Sequence, residues 1–204
     1  MPVLHQMHVS GNCYKIRLAA RQLGIPLRLQ DYGLHDGSTR TPDFLGKNFN
    51  GRVPLLELDD GRFLAESGAI LWYLSEGTPL QPADKWGRAE MLQWMFFEQY
   101  SHEPYIAVAR FVRSYAPELQ RDARAEELPK LMARGNDALA VMERHLSSHD
   151  WFAGGQYSIA DIALYGYTHV ANEGGFDLAK YPAVQRWLAR VAAEKGHVPL
   201  AERW

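Results

Sequence analysis

The stretch GRVPLLELDDGRFLAESGAI (51–70) holds two short apolar runs around one turn signal. VPLLEL (53–58) and RFLAES (62–67) flank Asp59-Asp60-Gly61, and an Asp-Gly pair between such runs reads as a β-hairpin. Pro54 cannot donate to a ladder, so it belongs at an edge or an irregular strand start. A cis Val53–Pro54 bond would turn the Val53 N–H and C=O outward, where an extended peptide can pair with them; about 5–6% of X–Pro bonds are cis. Glu66 and Ser67 fall where strand passes into a helix over 68–76 carrying Ile70, Leu71 and Leu74. At that junction a serine hydroxyl and the backbone N–H groups of a helix start suit a carboxylate. Glu66 beside them suits an ammonium. The pair therefore fits an amino-acid head group, which carries both charges on one carbon.

Upstream, Val3 to Met7 reads as a strand, and Tyr14 to Leu23 as a helix with Ile16, Ala19, Ala20 and Leu23 on its apolar side. Gly24-Ile25-Pro26 stops that helix. Leu27 to Tyr32 alternates like a strand, and Pro42 to Leu45 reads as a short helix. The order β-α-β-α-β-β-α predicts a small mixed sheet with helices on it.

Downstream, EGTPLQPADKWG (76–87) has the Pro and Gly content of an inter-domain linker. Helical rhythm dominates beyond it. Trp86, Ala89, Leu92, Phe96, Tyr100, Ile106, Phe111 and Tyr115 predict a long aromatic helix, mostly core, with a kink at Pro104. Leu128 to Leu146 is a second helical run, and a last helix follows Pro182 through Val184, Trp187, Leu188 and Val191. Ser158-Ile159-Ala160-Asp161 has capping-box spacing with Asp in place of Glu, and Tyr157 and Ile162 are set for a hydrophobic staple. There are no repeats.

Composition excludes several classes. Aromatics at 12% and hydrophobics at 47% oppose disorder, and a net charge of −2 gives no electrostatic case for nucleic acid or an anionic membrane. One Cys rules out an internal disulfide framework and fits a reducing compartment. No apolar run approaches a membrane span, and the first residues lack the apolar core of a signal peptide, so a soluble cytoplasmic protein is expected. The eight His show no HxxxH or HExxH and no CxxC exists, so neither a metal site nor a two-thiol redox site is expected.

With SGNCYKIRLAARQLG (10–24), GRVPLLELDDGRFLAESGAILWYL (51–74), the linker and SIAD (158–161) taken together, the chain resembles a cytosolic glutathione S-transferase, of a bacterial type related to the serine-dependent theta and zeta classes. The resemblance covers essentially the whole chain. It implies an α/β plus all-α architecture: a thioredoxin-like domain over 1–77, a linker over 78–86 and a helical bundle over 87–204. It also implies a homodimer, glutathione as co-substrate, a cis Val53–Pro54 bond, and Glu66 and Ser67 on the γ-glutamyl group. The family usually carries Asn-Pro before Gly-x-Val-Pro; here Asn48-Phe49-Asn50-Gly51 stands instead, so a looser loop is expected.

Such an enzyme needs a donor at the sulfur of glutathione. A free thiol titrates near 8.5, and lowering that by about two units takes roughly 2.7 kcal/mol of preference for the anion. One hydroxyl bonded to a charged group, at about 1.5–3 kcal/mol, plus a helix N-terminus supplies this. Ser10 is the first choice, at the strand end where the family's serine sits; its other reading is a helix cap. Asn12 is either a cap residue or a second donor. Cys13 is the alternative nucleophile, through a mixed disulfide, but it leads the stripe Cys13, Ile16, Ala20, Leu23 and reads better as a buried small hydrophobe. Tyr14 is expected at the cleft edge or the subunit contact.

Arg52, where many relatives carry Lys, and Arg40 are each candidates for the glycine carboxylate of glutathione or for the solvated surface. Tyr100, Tyr105 and Phe111 are placed on the electrophile wall, and Trp204 either covers that pocket or packs. The expected function is attack of a glutathione thiolate on a small electrophile, with glutathione-dependent peroxide or disulfide reduction as a variant. A non-catalytic ligand-binding protein of the same fold, and a thiol oxidoreductase using Cys13, are the competing readings.

Overall fold

The computed structural model describes residues 1–202. The chain divides into two compact units: Met1–Thr78 with the segment from Lys195 onward, and Pro79–Glu194. The sequence pattern carries the helical half to residue 204, whereas residues 195–202 group with the first unit.

In the first unit, β1 (Val3–Gln6), α1 (Gly11–Leu23), β2 (Arg28–Asp31), α2 (Pro42–Lys47), β3 (Leu55–Glu57), β4 (Phe63–Ala65) and α3 (Ser67–Ser75) follow the expected order. The sheet order is β2-β1-β3-β4, with β1 parallel to β2 and antiparallel to β3, and β3 antiparallel to β4. The parallel pair requires a crossover, which α1 supplies. Gly24 ends α1 at φ 67°, its N–H reaching the carbonyls of Ala20 and Arg21. A left-handed residue there is what glycine supplies without a Cβ clash. Leu4, Ile16, Ala20, Leu56, Ile70 and Leu71 are fully buried. Across the sheet Phe44 of α2 lies edge-on to Tyr32, with ring centroids 4.9 Å apart.

The loop before β3 is not loose. The Asn48 side chain accepts from Asn50 N at 3.1 Å and donates to the Arg52 carbonyl at 2.8 Å, while Gly51 N reaches the Asn48 carbonyl at 2.9 Å. An Asx turn replaces the rigidity that proline would bring. Phe49 is left at the tip, 93% exposed.

The second unit contains α4 (Lys85–Phe97), a π-helical turn (Glu98–His102), α5 (Glu103–Ser114), α6 (Glu118–Ala123), α7 (Leu128–Leu146), α8 (Ile159–Thr168) and α9 (Pro182–Ala193). Where a kink at Pro104 is expected, the helical run passes through a π turn (Glu98–His102) and restarts as α5, with Pro104 in its first turn. Ile106 is buried as expected, but the expected core phase fails before it. Met91, Trp94, Met95, Glu98 and His102 are buried, while Trp86, Phe96 and Tyr100 are 73%, 69% and 83% exposed. This segment is apolar on more than one side, so its period does not select the inner face. Linker residues 79–80 are held within this unit: Ile159 N donates to the Leu80 carbonyl at 3.0 Å and Gln156 Nε2 to that of Pro79 at 2.8 Å. α6 has no buried residue, which is why no apolar period announces it.

The SIAD cap forms as its spacing predicts. Ser158 N donates to Asp161 Oδ2 at 3.0 Å, and Ala160 N donates to Ser158 Oγ at 3.2 Å. Asp161 also accepts from Phe152 N at 3.3 Å and from Trp187 Nε1 at 2.9 Å, so the cap is tied to a fully buried tryptophan of α9. Tyr157 meets Trp151 edge-on, with centroids 5.1 Å apart.

Candidate functional site

β1 ends at Gln6, and the chain turns through Met7–Val9 into α1. Ser10 is the N-cap in extended conformation; its N–H reaches the Met7 carbonyl at 3.0 Å and its Oγ accepts from Cys13 N at 3.3 Å. The two readings of Ser10 are compatible. The cap uses an oxygen lone pair, whereas a thiolate would use the hydroxyl proton.

Asn12, in the first turn of α1, accepts at Oδ1 from Lys15 Nζ at 2.7 Å and from the Ser67 hydroxyl at 3.4 Å. Ser67 is the first residue of α3 and 4% exposed. One hydrogen bond thus joins the starts of the two helices. Glu66, the N-cap of α3, makes no capping bond with its side chain and stands at φ 69°. For a non-glycine residue that conformation costs on the order of 1–3 kcal/mol and concentrates at functional sites. It leaves the Glu66 carboxylate exposed beside the α3 N-terminus. The Val53–Pro54 bond is cis, and neither backbone group of Val53 is hydrogen-bonded among the described residues.

The other candidates are less concentrated. Arg40 Nη1 donates to the Asn50 carbonyl at 2.9 Å, so part of its fork braces the Asn48 loop. Arg52 is exposed, with no ion pair or hydrogen bond from its side chain among the described residues. Tyr105 and Phe111 are half-buried on α5, and six residues of α-helix turn them about 120° apart. Tyr100 faces solvent, so the three do not form one wall. Trp204 lies outside the described residues. Among the described residues no group of three His, Cys, Asp or Glu is arranged to hold a metal ion, and no helix is long and apolar enough to cross a membrane.

Cys13 is fully buried, with Met7 N donating to its sulfur at 3.4 Å. Burial pushes the thiol up to about 11, outweighing the lowering by the Met7 N–H and Ser10. At pH 8 that leaves about one thiol in a thousand ionised. The native protein is therefore expected to resist alkylation by iodoacetamide at pH 8, reacting at least a hundredfold more slowly than the urea-unfolded chain. A comparable rate in the two states would refute the burial argument.

Tyr14 is neither at a cleft edge nor on a subunit surface. It is fully buried, and its hydroxyl donates to the Val198 carbonyl at 2.7 Å. Arg17, equally buried, reaches the Gln6 side chain, the His8 carbonyl at 3.1 Å and the Leu200 carbonyl at 2.9 Å. Residues 195–202 therefore strap α1 from outside, with Val198 3% exposed. Sequence reasoning missed Lys15 and Arg17 because both lie off the apolar stripe, where charged residues ordinarily meet water. Only the Gly196…Pro199 punctuation hinted that the last segment leaves the helical pattern.

The family profile described as "Glutathione S-transferase, N-terminal domain" matches residues 9–76, and "Glutathione S-transferase, C-terminal domain" matches 93–195. The chain belongs to the glutathione S-transferase family. It is 32% identical over 201 residues to Anopheles gambiae "Glutathione S-transferase D7", covering 96% of this chain and 88% of that protein. It is 30% identical over 187 residues to Escherichia coli K12 "Disulfide-bond oxidoreductase YfcG", covering 88% and 85%. Among solved glutathione S-transferase structures, a possible member from Rhodopseudomonas palustris superposes with a TM-score of 0.96 at 50% identity, covering 99% of this chain and 98% of that one. A glutathione transferase from Burkholderia graminis, solved with two glutathione molecules per subunit, superposes at 0.80 with 28% identity, covering 96% and 85%. These relatives and the first unit's fold agree on glutathione transferase or glutathione-dependent reductase chemistry as the activity class; the substrate is a separate matter.

Proposed function

We propose that this chain binds glutathione at the starts of α1 and α3 and ionises its thiol for attack on a small electrophile. One observation carries the reading. The Asn12–Ser67 hydrogen bond sets the candidate thiolate donors, Ser10 and Asn12, directly beside the candidate head-group site, Glu66 and Ser67. Ser67 and the α3 N–H groups take the γ-glutamyl carboxylate, Glu66 its ammonium, and the unpaired Val53 backbone its peptide. The Ser10 hydroxyl proton goes to the thiolate, at the positive end of α1. Arg52 serves the glycine carboxylate, with Arg40 mainly bracing the loop. The electrophile is assigned to one side of α5, at Tyr105 or at Phe111 but not both, with Tyr100 the weakest of the three because it faces solvent. Rate enhancement comes from a larger thiolate fraction and from proximity, with no covalent enzyme intermediate and no resident metal.

A second subunit of a homodimer is assigned to exposed Trp86 and Phe96, and a detoxifying role in the cytoplasm fits the chemistry. Buried Cys13 is excluded from this scheme as the nucleophile. The disulfide-reductase variant uses the same stabilised thiolate: it displaces one sulfur of a disulfide, and a second glutathione then releases the mixed product as glutathione disulfide. The E. coli relative's description and the two glutathiones of the Burkholderia structure support that variant. Absence of a second cysteine leaves the resolving thiol to glutathione.

Ser10 carries the test. Losing a hydrogen bond to a charged sulfur, about 1.5–3 kcal/mol, is expected to raise the thiol pKa of bound glutathione by about 1–2 units and to lower kcat/KM for an aromatic halide about 10–100-fold near pH 6.5. Ser10→Gly is the better variant, since glycine keeps the cap to within a few tenths of a kcal/mol. Full activity in Ser10→Gly would sink the serine role. Tight glutathione binding by the wild type without conjugation or disulfide reduction would favour the non-catalytic reading.

A further inference from the structure

Arg17 is fully buried, yet none of the oxygens it meets carries a charge. Its Nη1 donates to the Gln6 side chain, and its Nη2 to the His8 carbonyl at 3.1 Å and the Leu200 carbonyl at 2.9 Å. Its Nε has no hydrogen-bond partner, and among the described residues no carboxylate pairs with it. Asp31 is met only through Gln6, whose Nε2 donates to Asp31 Oδ1 at 2.9 Å. The guanidinium lies over the Tyr14 ring, 5.8 Å from its centroid. Burying an unpaired cation is costly, and neutral amides could donate to the same oxygens, so hydrogen bonding alone does not call for the charge. An anion nearby would. Helix side chains lean toward the N-terminus, and the His8 contact sets the guanidinium level with the turn that leads to Ser10. The α1 dipole is positive at the same end. Cys13, in the first turn of α1, feels the charge: burial raises its thiol, and Arg17 is among the groups that oppose this.

We infer that Arg17 is a long-range electrostatic partner of the bound thiol, a dry positive charge near the start of α1 that favours the thiolate without touching it. This rests on the proposed placement of glutathione at that helix start. The charge keeps its reach because the strap, through Leu200, holds it away from water, where the same field would be screened several-fold. The titratable groups that act on Arg17 are Cys13 and Tyr14 on α1 and Asp31 on β2, and none of them is an ion-pair partner. Two unit charges about 10 Å apart inside a protein shift a pKa by roughly one unit. Arg17 thus adds to whatever the Ser10 hydroxyl supplies by contact.

The test compares Arg17→Gln with Arg17→Lys, which both keep a donor for the carbonyls but differ in charge. Two quantities are read: the thiol pKa of bound glutathione, from thiolate absorbance and the pH profile of kcat/KM, and the affinity for S-hexylglutathione, whose sulfur cannot ionise. Arg17→Gln is expected to raise the pKa by about one unit and lower kcat/KM about tenfold below the wild-type pKa, the gap closing at high pH. Arg17→Lys is expected to shift it by less than about half a unit. Both should hold S-hexylglutathione within about threefold of wild type. Arg17→Met, read on the pKa alone, should match Arg17→Gln and serves if that variant does not fold. Equal shifts in Arg17→Lys and the neutral variants would overturn the inference by making the fork, rather than the charge, the operative property. A loss of S-hexylglutathione affinity in step with the pKa shift would overturn it by making Arg17 a brace for the site. A lowered thiol pKa in the wild type, unchanged in every Arg17 variant, would overturn it while leaving the proposed function intact. A wild type that does not bind glutathione, or whose bound thiol titrates at the free value of about 8.5, would sink the proposed function and the inference with it.

Discussion

Asp161→Ala is expected to remove about 3–5 kcal/mol of stability from the helical unit, a large share of the 5–15 kcal/mol that a domain has. The carboxylate is fully buried and takes the N–H groups of Ser158, Phe152 and Trp187 as well as the Ser158 hydroxyl. Truncation strands three N–H donors where no water reaches, and each stranded donor costs about 1–3 kcal/mol. The cavity left against Trp187 adds to this. Asp161→Asn separates the contributions: it keeps the shape and one acceptor oxygen but places an amide donor against another donor, so a loss between wild type and alanine is expected. Urea unfolding followed by tryptophan fluorescence measures both. A loss below about 1 kcal/mol in Asp161→Ala would show that the four donors find other partners.

Deleting residues 195–204 is expected to cost the first unit about 3–5 kcal/mol and to weaken glutathione binding although none of the proposed ligand contacts is removed. Val198 withdraws a buried side chain worth about 1.5–3 kcal/mol. The Tyr14 hydroxyl loses the Val198 carbonyl, and the Arg17 guanidinium loses that of Leu200, a charged hydrogen bond worth about 1.5–3 kcal/mol. Part is recovered as water reaches the uncovered groups. Arg17 also holds the His8 carbonyl in the turn that leads to Ser10, so loss of the strap loosens the site from behind. Hydrogen exchange should show faster opening of α1 with helix α7 unchanged. Unaltered protection of α1 in the truncated chain would mean the strap only lies over the helix.

The elements that could be read from the sequence are those decided by neighbours in the chain. Asp60-Gly61 between two apolar runs makes the β3–β4 hairpin, Gly24 before Pro26 stops α1, and the four residues of the SIAD cap carry all the groups of their own box. The 19-residue period of α7 begins at Leu128 and ends at Leu146, as read. The site was partly legible for the same reason. Ser10, Asn12, Glu66 and Ser67 stand at helix starts, where unpaired N–H groups and polar side chains coincide. The resemblance added the Val53–Pro54 geometry, which spacing alone does not give.

What the sequence by itself determined is therefore the order of elements, their caps and turns, and the residue types available at two helix starts. Tertiary structure decided which faces are buried and which polar groups meet. Arg17 and Tyr14 are buried in part because a segment about 180 residues later comes back over α1, a closure no local period encodes. On α4 and the π turn after it, Trp86, Phe96 and Tyr100 form as good an apolar stripe as Met91, Trp94 and Met95, and only packing against the other helices selects the second. The Asn12–Ser67 contact joins residues 55 positions apart. Local free energies fix turns and caps within a few residues; burial is fixed by long-range chain closure, and there the candidate site takes its shape.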